Sequence, residues 1–103
     1  MKAPVKVIIN ADDLGASAEV NEAIFRLMSQ ERLTSATLMA NGPSVEDAAR
    51  RVREFPKCSF GVHLNVTAFR PLTCQAELAP LLGSDGCFNK LALRSTRLSG
   101  GLR

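Results

Sequence analysis

The sequence predicts an α/β protein built on a parallel sheet, because three short strand-like segments alternate with two amphipathic helical segments. The strands are expected at 5–10, 35–39 and 59–64. The first is β-branched and continuous, which is typical of a strand buried on both faces of a parallel sheet. With 103 residues, the chain forms one domain at most.

The two helical segments are recognised by apolar side chains at helical spacing. Ser17 is a plausible N-cap for a helix over 17–32, in which Val20, Ile24 and Met28 repeat at intervals of four residues. Ser44 is placed to cap a second helix, which Pro56 ends. Beyond about residue 67 the periodicity weakens, with a helical turn expected near 77–82 and the start of a helix in the basic stretch after 89.

The net charge of +3 comes from the C-terminal residues and argues against nucleic-acid binding. Residues 1–86 contain nine Lys and Arg against ten Asp and Glu, whereas residues 87–103 contain four basic residues and no acidic one. A nucleic-acid binder would carry a basic face with aromatic side chains beside it, and this chain has no Trp or Tyr. No apolar run approaches the ~20 residues of a membrane span.

The three cysteines and the N-terminus predict a cytoplasmic location. Cys58, Cys74 and Cys87 lie 16 and 13 residues apart, which matches no compact zinc pattern, so we interpret them as structural thiols in a reducing compartment. The N-terminal apolar run is too short and too soon followed by charge for a signal peptide.

Polar side chains follow each predicted strand. Asp12 and Asp13 follow the first, Asn41 follows the second, and His63 lies at the end of the third. The carboxyl ends of adjacent parallel strands meet at one edge of a sheet, so these side chains are expected to converge there. A metal lowers the pKa of its bound water and a nearby carboxylate can take the proton, so the pattern indicates a hydrolytic metal site.

Each candidate also has a structural interpretation. Adjacent aspartates can cap a turn through backbone N–H groups, and a lone histidine at a strand end is often structural. Asn10 and Asn41 could donate hydrogen bonds to a substrate, but asparagine at the end of a strand is also a common turn residue. Thr67 and Arg70 are further candidates for lining the substrate cleft.

Four motifs taken together resemble the YdjC-like carbohydrate deacetylases. They are Asn-Ala-Asp-Asp-Leu-Gly at 10–15, Val-Asn-Glu-Ala-Ile at 20–24, the segment 34–43, and Gly-Val-His-Leu-Asn-Val-Thr at 61–67. The resemblance covers residues 5–73 in continuous order. It implies a distorted (β/α) TIM-like barrel, of which this chain would be the N-terminal portion, and metal-dependent removal of N-acetyl groups from an amino sugar or oligosaccharide.

The resemblance also implies roles for individual residues. Asp12 would be the base, while Asp13 and His63 would bind Mg²⁺ or Zn²⁺. The family's second metal histidine lies in a later segment, and His63 is the only histidine here. Because a complete barrel typically needs 200 or more residues, we expect a partial deacetylase domain over 1–88, a basic tail over 89–103, and weak or no activity. The alternative is a non-catalytic remnant or an interaction module completed by another chain, such as a homodimer.

Overall fold

The computed structural model describes residues 3–74 and 76–95, which divide into two compact units. One unit ends at His63 and the other begins at Leu64. The domain boundary predicted after residue 88 stays a prediction. None of the helices in the described residues is long and apolar enough to cross a bilayer.

The first unit alternates strands and helices in the predicted order. Its elements are β1 (Asn10–Leu14), α1 (Ala18–Ser29), β2 (Ser35–Leu38), α2 (Val45–Arg51), a 3₁₀ turn (Val52–Glu54) and β3 (Ser59–Val62). The strands pair in parallel in the order β1-β2-β3. The α/β class and the parallel sheet are confirmed, and the sheet is an open one that is consistent with a partial (β/α) fold.

The predicted position of the first strand, 5–10, is wrong. Strand β1 begins at Asn10, and Val5 and Ile8 ahead of it are 87% and 81% exposed. Strand pairing begins where the Ile9 carbonyl accepts a hydrogen bond from Thr34 N at 2.9 Å. The chain before Thr34 is the turn that ends α1, so β2 offers residues 5–8 no backbone partner.

Strand β1 contains a bulge at the aspartate pair. Ala11 pairs with Ala36 and Leu14 pairs with Leu38, so three steps along β1 match two steps along β2. Asp13 lies inside the bulge with a φ of 68°, a left-handed conformation that Asp adopts more readily than most residues. The sequence predicted both aspartates after the first strand. In the structure both lie within β1.

Helix α1 begins as predicted and ends earlier. The Ser17 hydroxyl accepts a hydrogen bond from Val20 N at 3.1 Å, the N-cap expected from the sequence. The helix ends at Ser29 and not at residue 32, because Glu31 adopts a left-handed φ of 57°. Ser44 precedes α2 as predicted, but its side chain makes no capping hydrogen bond.

The core of the first unit lies between the two helices and one face of the sheet. Phe25, 1% exposed, stacks on Phe55 with ring centroids 5.2 Å apart. The Arg51 guanidinium lies 4.6 Å from the centre of the Phe25 ring, and its hydrogen bond to Glu22 raises the pKa of Arg51. The buried cluster comprises Leu14, Ile24, Phe25, Met28, Leu33, Ala36 and Ala48.

A buried polar junction joins the loop after β1 to the start of α2. The Asn21 side chain is 0% exposed; its Oδ1 accepts from Gly15 N at 2.7 Å, and its Nδ2 donates to the Ser44 carbonyl at 3.0 Å and to Asp47 Oδ2 at 3.2 Å. Gly42 packs against the same loop so closely that a β-carbon there would lie 2.3 Å from the Gly15 carbonyl oxygen. This junction fixes the path of the chain as it leaves β1.

The second unit contains two short helical segments. A 3₁₀ helix over Ala76–Leu81 corresponds to the helical turn predicted near 77–82, and α3 spans Lys90–Ser95. An antiparallel bridge joins Leu82 and Phe88. The predicted basic tail therefore begins with a helix, and its residues 96–103 lie outside the described part of the chain.

Candidate metal and catalytic site

The strands of the first unit present polar side chains on the face of the sheet opposite the helices. Side chains alternate between faces along a strand, and Ala11, Ala36 and Phe60, which are register neighbours, all belong to or pack against the core. The residues one step before and after them lie on the other face. These residues are Asn10, Asp12, Ser35, Thr37, Ser59 and Gly61, and His63 follows at the end of β3.

Asp12 is held by hydrogen bonds to one of its two oxygens. Asp12 Oδ1 accepts from Asn10 Nδ2 at 3.0 Å and from Thr37 Oγ1 at 3.0 Å. Asn10 is itself fixed by Ser35, whose hydroxyl donates to Asn10 Oδ1 at 2.8 Å. The Asp12 side chain is nevertheless 66% exposed. The carboxylate is thus oriented by its neighbours while most of its surface faces solvent.

His63 lies between the two aspartates. Its backbone N–H donates to the Leu38 carbonyl at 2.8 Å. This bond continues the β2–β3 pairing and fixes the backbone from which the imidazole extends. The imidazole Nδ1 lies 3.1 Å from Thr37 Oγ1 and 3.8 Å from Asp12 Oδ1. Its Nε2 lies 3.6 Å from Asp13 Oδ1. The two aspartates therefore approach opposite nitrogens of one ring, and the ring is 29% exposed.

The structure brings three of the predicted site residues together, on the open face of the sheet and not beyond its edge. Asp12, Asp13 and His63 form one cluster, and Asn10 adjoins it. Asp12 Oδ1 accepts from the side chains of Asn10 and Thr37 and not from turn amides, which weakens the turn-capping interpretation. Asn41 lies in the turn after β2.

Thr67 and Arg70 belong to the second unit, and their contact with substrate stays a prediction. The Thr67 hydroxyl donates to Asn65 Oδ1 at 3.3 Å, and the same oxygen accepts from Thr67 N at 3.0 Å, so Thr67 takes part in a local turn. Arg70 lies beside Gly86, where a β-carbon would come within 2.9 Å of Arg70 Nη1.

Thr37 was not identified as a site residue from the sequence. It lies at the centre of the cluster and contacts both Asp12 and His63. A threonine in a strand is ordinary, but one signal could have found it. On each of the three strands, polar residues or glycine alternate with apolar ones, at 10–12, 35–37 and 59–63, and such alternation marks a common face.

The pair Asp13 and His63 fits a divalent cation in donor type and spacing. Carboxylate oxygen and imidazole nitrogen bind Zn²⁺ at about 2.0–2.2 Å, which places two ligands about 3.4 Å apart in a tetrahedral arrangement. Adjacent ligands of an octahedral Mg²⁺ at about 2.0–2.1 Å lie about 2.9 Å apart. The observed distance of 3.6 Å between His63 Nε2 and Asp13 Oδ1 is close to the value for tetrahedral Zn²⁺ and larger than the value for octahedral Mg²⁺. Among the described residues, no three His, Cys, Asp or Glu side chains are grouped to hold one ion together.

The fold and the cluster define an α/β protein with two aspartates and a histidine grouped on the open face of a parallel sheet. The YdjC-like protein family matches residues 6–100. The chain belongs to this family. The match extends through the predicted tail as far as residue 100.

Similar proteins support the same assignment. A carbohydrate deacetylase of Geobacillus stearothermophilus is 41% identical over 85 residues, which are 82% of this chain and 34% of that protein. A carbohydrate deacetylase 2 of Listeria innocua is 40% identical over 82 residues, 80% of this chain and 32% of that protein. A crystal structure from Enterococcus faecalis V583, of a protein named for cellobiose-phosphate cleavage, superposes with a TM-score of 0.68 at 30% identity, covering 80% of this chain and 33% of its own. The chain spans about a third of the length of these relatives.

Proposed function

We propose that this chain supplies the base and two metal ligands of a metal-dependent carbohydrate deacetylase that removes N-acetyl groups from an amino sugar or oligosaccharide. The observation that carries the proposal is the position of His63 between two carboxylates, with Nε2 3.6 Å from Asp13 Oδ1 and Nδ1 3.8 Å from Asp12 Oδ1. The curated relatives of about 40% identity are named carbohydrate deacetylases, which supports the same reaction class.

The two aspartates suit different roles. Asp13 and His63 would hold Mg²⁺ or Zn²⁺, and the cation would supply polarisation of the acetamide carbonyl and a water of lowered pKa. Asp12, oriented through Oδ1 and largely exposed, would accept a proton from the attacking water. The water oxygen forms the new carbon–oxygen bond, and as the carbon–nitrogen bond breaks the leaving nitrogen would take up the proton that Asp12 had accepted. The products are the free amine and acetate.

Metal binding is the sharpest test of this proposal. Calorimetric titration of the purified chain with Zn²⁺ and, separately, Mg²⁺ should show saturable binding that is lost in Asp13→Asn and His63→Ala. Asp13→Asn retains a residue that tolerates the left-handed conformation, so it removes the charge with little change of backbone. Asp12→Asn should still bind metal, and Glu19→Ala, an exposed carboxylate in the first turn of α1, is the matched control.

Acetate release completes the test. With acetylated amino sugars as substrates, we expect weak, metal-dependent release that Asp12→Asn abolishes. Metal binding that is unaffected by Asp13→Asn and His63→Ala would refute the assignment of the ligands. A folded chain that binds neither Zn²⁺ nor Mg²⁺ would refute the proposal that Asp13 and His63 form a metal site in this chain.

A second candidate function, an interaction module completed by another copy of the chain, is favoured by the apolar run before β1. Val5, Val7, Ile8 and Ile9 are between 49% and 87% exposed, and exposed apolar β-branched segments are sites of association. Sedimentation equilibrium distinguishes a dimer of the chain from a monomer. A discrete dimer that is lost in an Ile8→Lys variant supports the module, and a monomer at all accessible concentrations excludes it.

A further inference from the structure

Thr37 occupies the middle position of the site. It lies on the central strand β2, opposite Gly61 of β3 in the parallel register. Its hydroxyl oxygen is 3.0 Å from Asp12 Oδ1 and 3.1 Å from His63 Nδ1. Both distances are within hydrogen-bond range. One hydroxyl therefore connects the residue assigned as base to a residue assigned as metal ligand.

The proton inventory of these three groups allows one consistent arrangement. A threonine hydroxyl has a single proton, and an ionised carboxylate can only accept. Asp12 Oδ1 lies 3.0 Å from Thr37 Oγ1 and has no proton to donate, so the Thr37 proton points to Asp12. The bond to His63 must then use the hydroxyl lone pair, which requires a proton on Nδ1. The reverse arrangement would bring two oxygen lone pairs together at 3.0 Å.

A proton on Nδ1 determines what Nε2 can do. In the neutral imidazole one nitrogen is a donor and the other an acceptor, so Nε2 has its lone pair free on the side that faces Asp13. The 3.6 Å between Nε2 and Asp13 Oδ1 is too long for a hydrogen bond. Two acceptors that face each other at this distance are suited to a cation between them.

We infer that Thr37 is a positioning residue, which orients the Asp12 carboxylate and fixes His63 as the Nδ1–H tautomer so that Nε2 is the metal-binding nitrogen. The statement about metal rests on the function proposed above. The statements about Asp12 and the tautomer rest on the geometry alone. Partners of this kind typically change metal affinity by 10–100-fold when they are removed.

The tautomer can be measured directly because His63 is the only histidine. A ¹⁵N-labelled sample without metal, held at a pH where the ring is neutral, gives one pair of imidazole nitrogen signals whose shifts and proton couplings identify the protonated nitrogen. We expect Nδ1–H in the natural chain and an increase in the Nε2–H form in Thr37→Val. Thr37→Ser, which keeps the hydroxyl, should restore the natural spectrum.

Ser35→Ala is the matched control. Ser35 is a hydroxyl residue on the same strand and face, but it donates to Asn10 Oδ1. Its removal should leave the tautomer of His63 unchanged. Valine is nearly isosteric with threonine and favours strands equally, and backbone amide spectra report whether each variant is folded. A natural chain with Nε2–H, or a folded Thr37→Val with an unchanged tautomer, would overturn the inference.

Metal titration of the same variants separates this inference from the proposed function. Thr37→Val should bind Zn²⁺ about 10–100-fold more weakly, and Thr37→Ser should bind within a few-fold of the natural chain. A tautomer that depends on Thr37 in a chain that binds no metal would support the positioning role and contradict the proposed function. Undiminished Zn²⁺ affinity in Thr37→Val would overturn the inference that Thr37 makes Nε2 of His63 the metal-binding nitrogen.

Discussion

Replacing Asn21 with alanine should destabilise the first unit by about 2–4 kcal/mol. The side chain is 0% exposed and accepts from Gly15 N at 2.7 Å, so alanine leaves a buried N–H without its acceptor. An unsatisfied buried group costs about 1–3 kcal/mol, and losing the bond to the Ser44 carbonyl adds about 1 kcal/mol. The exposed Ser29 on the same helix provides a control, since Ser29→Ala should change stability by less than about 0.5 kcal/mol.

Urea unfolding followed by far-UV circular dichroism is the appropriate assay, because the chain contains no Trp or Tyr for fluorescence. With an m value of about 1.5 kcal/mol/M, the midpoint should fall by roughly 1.3–2.7 M in Asn21→Ala. Asn21→Asp keeps the acceptor for Gly15 N but places a carboxylate beside Asp47, whose Oδ2 is 3.2 Å from Asn21 Nδ2. It should therefore also be destabilised. An Asn21→Ala midpoint equal to that of Ser29→Ala would refute the reasoning.

Three further substitutions, one of them a control, test the backbone conformation. Gly42→Ala should destabilise the chain by about 1–3 kcal/mol in the same unfolding assay, because its β-carbon would lie 2.3 Å from the Gly15 carbonyl oxygen. The control Gly61→Ala should be nearly neutral, since the nearest atom to its β-carbon would be Thr37 Cγ2 at 3.9 Å. Equal losses of stability in the two variants would contradict this explanation. Glu31→Gly should stabilise the chain by about 0.5–1 kcal/mol, since glycine adopts the left-handed φ of 57° just after α1 without steric cost. A lower unfolding midpoint would contradict the explanation that the backbone conformation of Glu31 ends the helix.

The sequence predicted the number and order of the strands and α-helices in the first unit but misplaced the first strand. Residues 5–9 have the stronger β propensity, yet a strand exists only where a neighbour supplies hydrogen bonds. That neighbour, β2, begins at Ser35 and pairs with Asn10. Propensity is a property of one segment and register is a property of two, so the exact pairing could not be derived from the apolar run.

The candidate site was predictable as a set of residue types and only partly as a geometry. The convergence of Asp12, Asp13 and His63 followed from parallel strand order, which periodicity indicates well. The connecting role of Thr37 depends on the β1–β2–β3 register, since its hydroxyl reaches both Asp12 and His63 only in this alignment. A one-residue slip would turn it to the helix side of the sheet.

The bulge in β1 explains how two adjacent carboxylates can serve one site. Ala11 and Leu14 both pack in the core although they are three residues apart, and strict alternation would place them on opposite faces. One extra residue resolves the conflict: Leu14 returns to the helix side and is 0% exposed, while Asp12 and Asp13 both reach His63 on the open side. The left-handed φ of 68° at Asp13 is the local cost, of order 1 kcal/mol. A regular strand would have buried one of the carboxylates among apolar side chains, so the irregular backbone is a requirement of the site.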